Sequence, residues 1–411
     1  MSVKRQKRFR SAGILRRELF ARPGCPHRFR VRVVCAVLLA LGSAALGAVR
    51  ELTLQVKVPA STPGDAKIYI SGSSDALGNW DGKGLELTRS ESGRFTVKLK
   101  LEENEPIEFK FTRGSWETVE KNLDGSEKAN RTVTPTRDET VELTVEAWAD
   151  QVSGAPATNS KLTRTGDIRL HPIHSKLLNN DRKLWVWLPP DYEKNATARY
   201  PVFYMHDGQN LFDASTGFAG EWNVDETAQR LISEKKIRPI IIVGIENTKD
   251  RMAEYTPGER GTLYQRFVVE EVKPFIDSTY RTSGERAETA IGGSSLGGLI
   301  SLYIAEKYPQ TFGMCCAMSP SLWWNNQAAM TDLAKDAAWM KKTKFWIDTG
   351  TAEGTAFQKQ VDLIKKLGEL LASNGLEAEH DFRLKIVDGA KHNEAAWSQR
   401  FDQVLIFFFS P

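Results

Sequence analysis

Two hydropathy rhythms divide this chain. Between residues 50 and 148, short runs alternate apolar and polar positions: "LTLQVKVP", "AKIYISG", "GRFTVKLKLEEN", "IEFKFTRGSW" and "ETVELTVEAW". Turn-forming clusters such as Thr62-Pro63-Gly64-Asp65 separate them. Alternation puts one face of each run in a core and the other in water, so this stretch is expected to be a small all-β sandwich. From residue 166 the rhythm changes. "LWVWLPP", "PVFYMHDG" and "PIIIVGIEN" are continuous apolar runs, the mark of strands buried on both faces. Helical patterns lie between such runs, in "WNVDETAQRLISEKK", at 263–278, after Ser295 and at 355–373, and a last helix ends in "VLIFFF". Strands alternating with helices predict an α/β domain with a mainly parallel sheet.

The remaining segments complete the layout. Residues 149–165, "ADQVSGAPATNSKLTRT", are small and polar and read as a linker. Residues 1–48 carry eleven Lys/Arg against one acid, Glu18, and end in the apolar run "VVCAVLLALGSAALGA". That run is short for a membrane span of roughly 20 residues and is followed by small residues, so it reads as an export signal cut near Gly47 to Val49. An uncleaved leader, the one expected membrane contact, is the alternative. The domains expected are therefore 1–48 leader, 49–148 sandwich, 149–165 linker and 166–411 α/β domain, in a secreted or periplasmic protein.

Charge changes meaning once the leader is set aside. The formal net charge is +4, but the leader alone supplies +10, so the rest of the chain carries −6. A nucleic-acid partner is not implied. Cys315 and Cys316 are the cysteines outside the leader and sit in "FGMCCAMSP", which reads as a buried strand. No zinc spacing is present, and the pair His171-x-x-His174 lacks a neighbouring acid cluster, so no metal is expected.

The chemistry concentrates around "AIGGSSLGGLIS". Only Ser295 has a glycine two residues before it (Gly293) and two after it (Gly297). A short apolar run precedes the motif, and a helical pattern follows it as far as Pro309. Gly-x-Ser-x-Gly between strand and helix is the pattern of a serine on a strained turn, with the N–H of Leu296 free to face an oxyanion. A serine hydroxyl needs a base, and the base needs an orienting acid, in the chain order serine, acid, histidine. Of the two later histidines, His380 precedes a strand and His392 follows it, in a loop where such sheets place their chemistry. His392 is the expected base. "FWIDTGTAEGT" offers Asp348 at the strand end and Glu353 just past it. Glu353 is preferred, with Asp348 as a structural hydrogen-bonding residue. A second oxyanion donor is expected near Gly208 and Gln209, with His206 shaping that loop.

Residues 166–411 resemble the esterase branch of the α/β-hydrolases that contains enterobactin esterases, feruloyl esterases and esterase D. The resemblance rests on "VFYMHDGQN", "GIENTKDRMAEYTP", "AIGGSSLGGLISLYIAEKYP", "SPSLWWN", "DTGTAEG" and "KHNEAAW". It implies an α/β-hydrolase fold, Ser295 as nucleophile, His392 as base and, by the Gly350-Thr351-Ala352-Glu353 stretch, Glu353 as acid. It also implies an ester substrate and no cofactor. Trp323 and Trp324 are expected either at the pocket mouth or in the core. Residues 50–148 resemble the starch-binding family of carbohydrate-binding modules, through "IYISGSSDALGNWDG", "IEFKFTRGSWE" and "ANRTVTP". That resemblance implies a polysaccharide partner, an α-glucan, stacked on Trp80 and Trp116, with Asn130 or Asn122 as a polar contact. The expected function is a serine carboxylic ester hydrolase working through an acyl-enzyme near carbohydrate. An acyltransferase using the same intermediate, or a non-catalytic carbohydrate-binding protein, are the rivals.

Overall fold

The computed structural model describes residues 48–411, apart from residues 73, 79, 81, 92, 105, 124, 126, 127, 129, 152–162, 218, 219 and 354–357. The leader up to residue 47 and most of the linker therefore lie outside the described residues, as do Asn79 and Asp81 of the tryptophan motif.

The first ten strands are β1 (Val49–Lys57), β2 (Tyr69–Gly72), β3 (Leu85–Glu86), β4 (Thr88–Arg89), β5 (Phe95–Glu102), β6 (Ile107–Thr112), β7 (Glu120–Lys121), β8 (Arg131–Val133), β9 (Glu139–Thr144) and β10 (Ala147–Trp148). They form two four-stranded sheets, β4-β5-β1-β9 and β3-β2-β6-β8, with a small β10-β7 ribbon. The alternation in "LTLQVKVP" does what it predicts. Leu52, Leu54 and Val56 point inward and meet Val97, Leu99, Ile70, Phe109 and Phe111 in one core. Trp148 is fully buried there and donates its indole N–H to Thr62 Oγ1 at 2.8 Å.

The α/β part has eight strands: β11 (Asp167–Ser175), β12 (Asn180–Leu188), β13 (Val202–His206), β14 (Ile241–Ile245), β15 (Thr289–Ser294), β16 (Met314–Met318), β17 (Lys344–Gly350) and β18 (Phe382–Val387). Their order is β11-β12-β14-β13-β15-β16-β17-β18. β11 and β12 run antiparallel to their neighbours, and the strands from β14 onward pair in parallel. The continuous apolar runs are explained by two cores. Tyr204, Ile241 and Val243 face one, while Phe203, Met205 and Ile242 face the other. Cys315 and Cys316 split between the same two cores.

Helices cover both faces: α1 (Val224–Ser233), α2 (Arg251–Tyr255), α3 (Glu259–Arg266), α4 (Lys273–Thr279), α5 (Leu296–Lys307), α6 (Trp324–Lys335), α7 (Gln358–Ser373) and α8 (Glu394–Phe409). The helix expected at 263–278 begins earlier, as α3, and reaches α4 through a π-helical stretch, Phe267–Val272. Its pattern was blurred because both Phe267 and Val268 are buried, one residue apart. The described ends of the linker are tied down locally. Gln151 donates to Ser61 O at 2.8 Å, and Thr165 N–H donates to Asp225 Oδ2 at 2.6 Å.

Candidate active site

A single residue, Ser295, turns the chain from β15 into α5. Ser295 sits at φ 56°, ψ −123°, a conformation that L-residues avoid. Holding a non-glycine residue there costs on the order of 1–3 kcal/mol, which the packing around it must supply. The flanking glycines show why. A Cβ on Gly293 would come 3.2 Å from His206 Cβ and 3.1 Å from the Gly297 carbonyl carbon. A Cβ on Gly297 would likewise meet His206 Cβ at 3.2 Å. Strand, helix and the end of β13 pass one another too closely for side chains. The turn lifts Ser295 out of the sheet, whereas Ser294 stays buried in the β15–β16 pairing.

Later in the chain, Glu353 and His392 form a hydrogen-bonded pair. Glu353 Oε2 lies 3.0 Å from His392 Nδ1. Glu353 Oε1 accepts the Ser319 hydroxyl at 2.5 Å and the Gly350 N–H at 2.6 Å. Burial pushes this carboxyl up, but His392 and the Ser319 and Gly350 donors outweigh it and hold Glu353 below the usual carboxylate range. An ionised Glu353 accepts Nδ1–H, which leaves Nε2 as the accepting nitrogen of His392. The imidazole packs edge-on against Trp397, 4.9 Å between centroids. Asp348 is engaged elsewhere. Its carboxylate takes the Trp346 indole N–H at 2.7 Å and Arg400 Nη2 at 2.9 Å.

The loop after β16 joins the two halves of this arrangement. Ser321 Oγ stands 3.3 Å from Ser295 Oγ, and Ser321 N–H donates to Ser295 O at 3.0 Å. Two residues earlier, Ser319 contacts Glu353 and receives Trp397 Nε1 and Arg400 Nη2, each at 3.0 Å. Ser319, Ser321, Trp397 and Arg400 were not singled out in the sequence for these roles. The "SPS" triplet beside the double tryptophan was visible, but nothing in the local pattern around Arg400 marks it.

Leu296 is the first residue of α5, a position whose N–H has no acceptor within the helix. Gln209 lies in the single turn Gly208–Asn210 after β13. Its side chain accepts Asn247 N–H at 3.1 Å and its carbonyl accepts the Thr216 hydroxyl at 2.7 Å, which fixes the turn. Under the turn, Asp207 is clamped by Arg251 through two contacts of 2.7 Å. Asn210 donates to Glu394 Oε1 at 3.1 Å, linking this turn to the start of α8. His206 is buried with Nδ1 at 2.8 Å from Tyr264 OH, and burial drives its pKa down to about 3, so it is neutral packing beneath the elbow.

The other expected residues are also located. His171 meets Tyr280 OH at 2.6 Å and His174 meets Asp181 at 2.8 Å, so each has its own partner. Trp323 and Trp324 are partly buried against the larger core. In the sandwich, Trp80 and Trp116 stand together, ring centroids 6.2 Å apart at 35°. Trp116 is 38% exposed and its indole N–H donates to Trp80 O at 3.1 Å. Asn130 is exposed and donates to Glu108 at 3.2 Å.

A mostly parallel sheet with a left-handed serine between its strand and helix is the layout of an α/β-hydrolase. Residues 175–408 match the family model described as "Putative esterase", and the chain belongs to that family. Residues 51–145 match the model of the starch binding domain. Among relatives, YbbA of Bacillus subtilis (strain 168), described as uncharacterized, is 25% identical over 56% of this chain and 93% of its own. An alpha-amylase of Niallia circulans is 42% identical over 25% of this chain, but only 8% of the amylase is covered. An endo-1,4-beta-xylanase/feruloyl esterase of Xylanibacter ruminicola is 25% identical over 48% of this chain and 27% of its own length. The crystal structure of the enterobactin esterase of Shigella flexneri, at 15% identity, covers 83% of this chain and 87% of that one, with a TM-score of 0.49. The chain is thus an esterase-family hydrolase carrying a starch-binding module.

Proposed function

We propose that this protein is a serine esterase that works through an acyl-enzyme while held on an α-glucan. The observations that carry the reading are the strained Ser295 on its strand-to-helix turn and a Glu353–His392 pair joined at 3.0 Å. Ser295 Oγ attacks the ester carbonyl as His392 Nε2 takes its proton. The oxyanion sits on the N–H groups of Leu296 and Gln209. Collapse expels the alcohol, which receives the proton from His392, and leaves the acyl group on Ser295. Water, deprotonated by His392, then attacks the acyl carbonyl and returns the serine. Glu353 keeps the imidazole in one tautomer and balances its transient positive charge. The steps need only groups of this chain, the ester and water.

The paired faces of Trp80 and Trp116 support sugar stacking, since the C–H faces of sugar rings are apolar and rigid rings lose little entropy on binding them. Tethering through the 149–165 linker raises the local concentration of esters carried on or near the polymer. The apolar run ahead of Gly47 supports export. A fluorophosphonate tests the centre of the proposal. The parent protein should gain one adduct, on the peptide holding Ser295, and Ser295→Ala should gain none and lose hydrolysis of p-nitrophenyl acetate. An adduct on another serine, or an active Ser295→Ala, refutes it.

A further inference from the structure

At the exit of the linker, three carboxylates crowd together. Glu221, in the loop before α1, and Asp225 and Glu226, in the first turn of α1, each bring an oxygen to within 4.8 Å of the others. The described chain satisfies only half of this set. Asp225 is fully buried, and its Oδ2 accepts Thr165 N–H at 2.6 Å while Oδ1 has no donor. Glu226 Oε1 accepts the Thr165 hydroxyl at 3.1 Å, and Oε2 is buried without a donor. Glu221 Oε1 is also buried without one. The basic residue at this exit, Arg164, is taken by Asp213 at 2.7 Å and lies over the Trp185 ring. Buried oxygens left unpaired are costly, more so when charged.

We propose that Glu221, Asp225 and Glu226 bind a divalent cation, calcium, which pins the end of the linker to α1. Three oxygens at this spacing fit one ion, because calcium–oxygen distances of roughly 2.3–2.6 Å allow neighbouring ligands to stand up to about 5 Å apart. The donor set is all oxygen, which selects hard cations, and three protein carboxylates at one site suit calcium, with its flexible coordination, better than magnesium, which demands an octahedron and keeps its waters.

Through Thr165 the site reaches further. Trp187 donates its indole N–H to Thr165 O at 2.9 Å, so an indole of β12 stands beside the site. Glu221 follows the loop that starts at Gln209, and Trp222 N–H donates to Asn210 O at 2.9 Å. A bound ion thus stiffens the segment running from the oxyanion turn to α1.

The test uses the full chain freed of metal with EGTA. Terbium(III) should give indole-sensitised emission that calcium titrates away. Calcium at roughly 100 times its dissociation constant should raise the hydrolase melting midpoint by about 5 °C. Asp225→Asn and Glu221→Gln should each weaken calcium at least tenfold. The proposal fails if calcium changes neither emission nor melting of the parent, if the folded variants respond as the parent does, or if magnesium competes as well as calcium. Should a variant not fold, the parent's melting shift and terbium competition still decide the matter.

Discussion

Replacing Glu394 with glutamine should make the hydrolase domain more stable at alkaline pH while changing little in acid. Glu394 opens α8, two residues after His392, and is 5% exposed. Burial, followed by the nearby Asp207 carboxylate, pushes its pKa from 4.5 up to about 8, against an opposing pull from Arg251. The sign follows from proton counting. Between 4.5 and 8 the folded chain holds a proton on this group that the unfolded chain has lost, so this group's contribution to stability falls as pH rises through that window. At about 1.4 kcal/mol per pH unit, the loss reaches ~3 kcal/mol by pH 7 and ~5 kcal/mol once pH passes 8. Glutamine keeps an oxygen for Asn210 and cannot ionise, so the variant escapes the loss. Urea unfolding of both proteins from pH 5 to pH 8.5, followed by intrinsic fluorescence, gives the difference directly, and contributions from Asp225 and the other groups cancel. The variant's advantage should grow with pH by several kcal/mol. A difference that stays flat across the range would show that Glu394 ionises like an ordinary surface carboxylate, and the argument from burial would fail.

Other outcomes are expected at the two sites. Glu353→Ala should lower kcat by roughly 10⁴-fold, as loss of an orienting acid does. Asp348→Ala should act mainly on stability, by a few kcal/mol at most, because it removes the nearer of two carboxylates from the buried Arg400; kcat measured on folded protein and urea unfolding separate the two, and the reverse pattern moves the acid's role to Asp348. Ser294→Ala should retain most hydrolysis of p-nitrophenyl acetate, since its side chain is packed in β15; loss equal to that of Ser295→Ala would overturn the assignment by spacing. Trp116→Ala should weaken retention in a starch affinity gel by roughly tenfold or more, about 1.4 kcal/mol, and leave hydrolysis of a small soluble ester unchanged; unaltered retention would remove Trp116 from the glucan surface.

What the sequence made legible was whatever is local. Strand periodicity, the glycine spacing around Ser295 and the position of His392 after a strand are all set by neighbours within a few residues. The pairing of Glu353 with His392 spans 39 residues, yet it was readable because each stands at a strand end on the same side of a parallel sheet. Arg400 was not readable. It lies on a helix among polar residues, between Gln399 and Phe401, and its value comes from reaching Ser319, 81 positions away, and Asp348, 52 away. The π-helical stretch escaped for a related reason, since it is tertiary packing of Phe267 and Val268 that selects it over a regular turn. The carboxylates of the 221–226 cluster stand at an acidic helix start, and the burial of Asp225 sets them apart.

The bonds around Ser319 have a mechanical consequence. Trp397 and Arg400 of α8 both hold Ser319, Ser319 holds Glu353, and His392 lies against Trp397 just ahead of the same helix. The proposed base is therefore referenced to α8, whereas the proposed acid is held by Gly350 of β17 as well as by Ser319, and Ser295 by β15, α5 and Ser321. A small slide of α8 moves the imidazole against the Glu353 carboxylate. The soft coordinate of the proposed machine is then the seat of the base, and disturbances anywhere along α8, even at the Phe407–Phe409 end anchored in the core, should register as slower acylation.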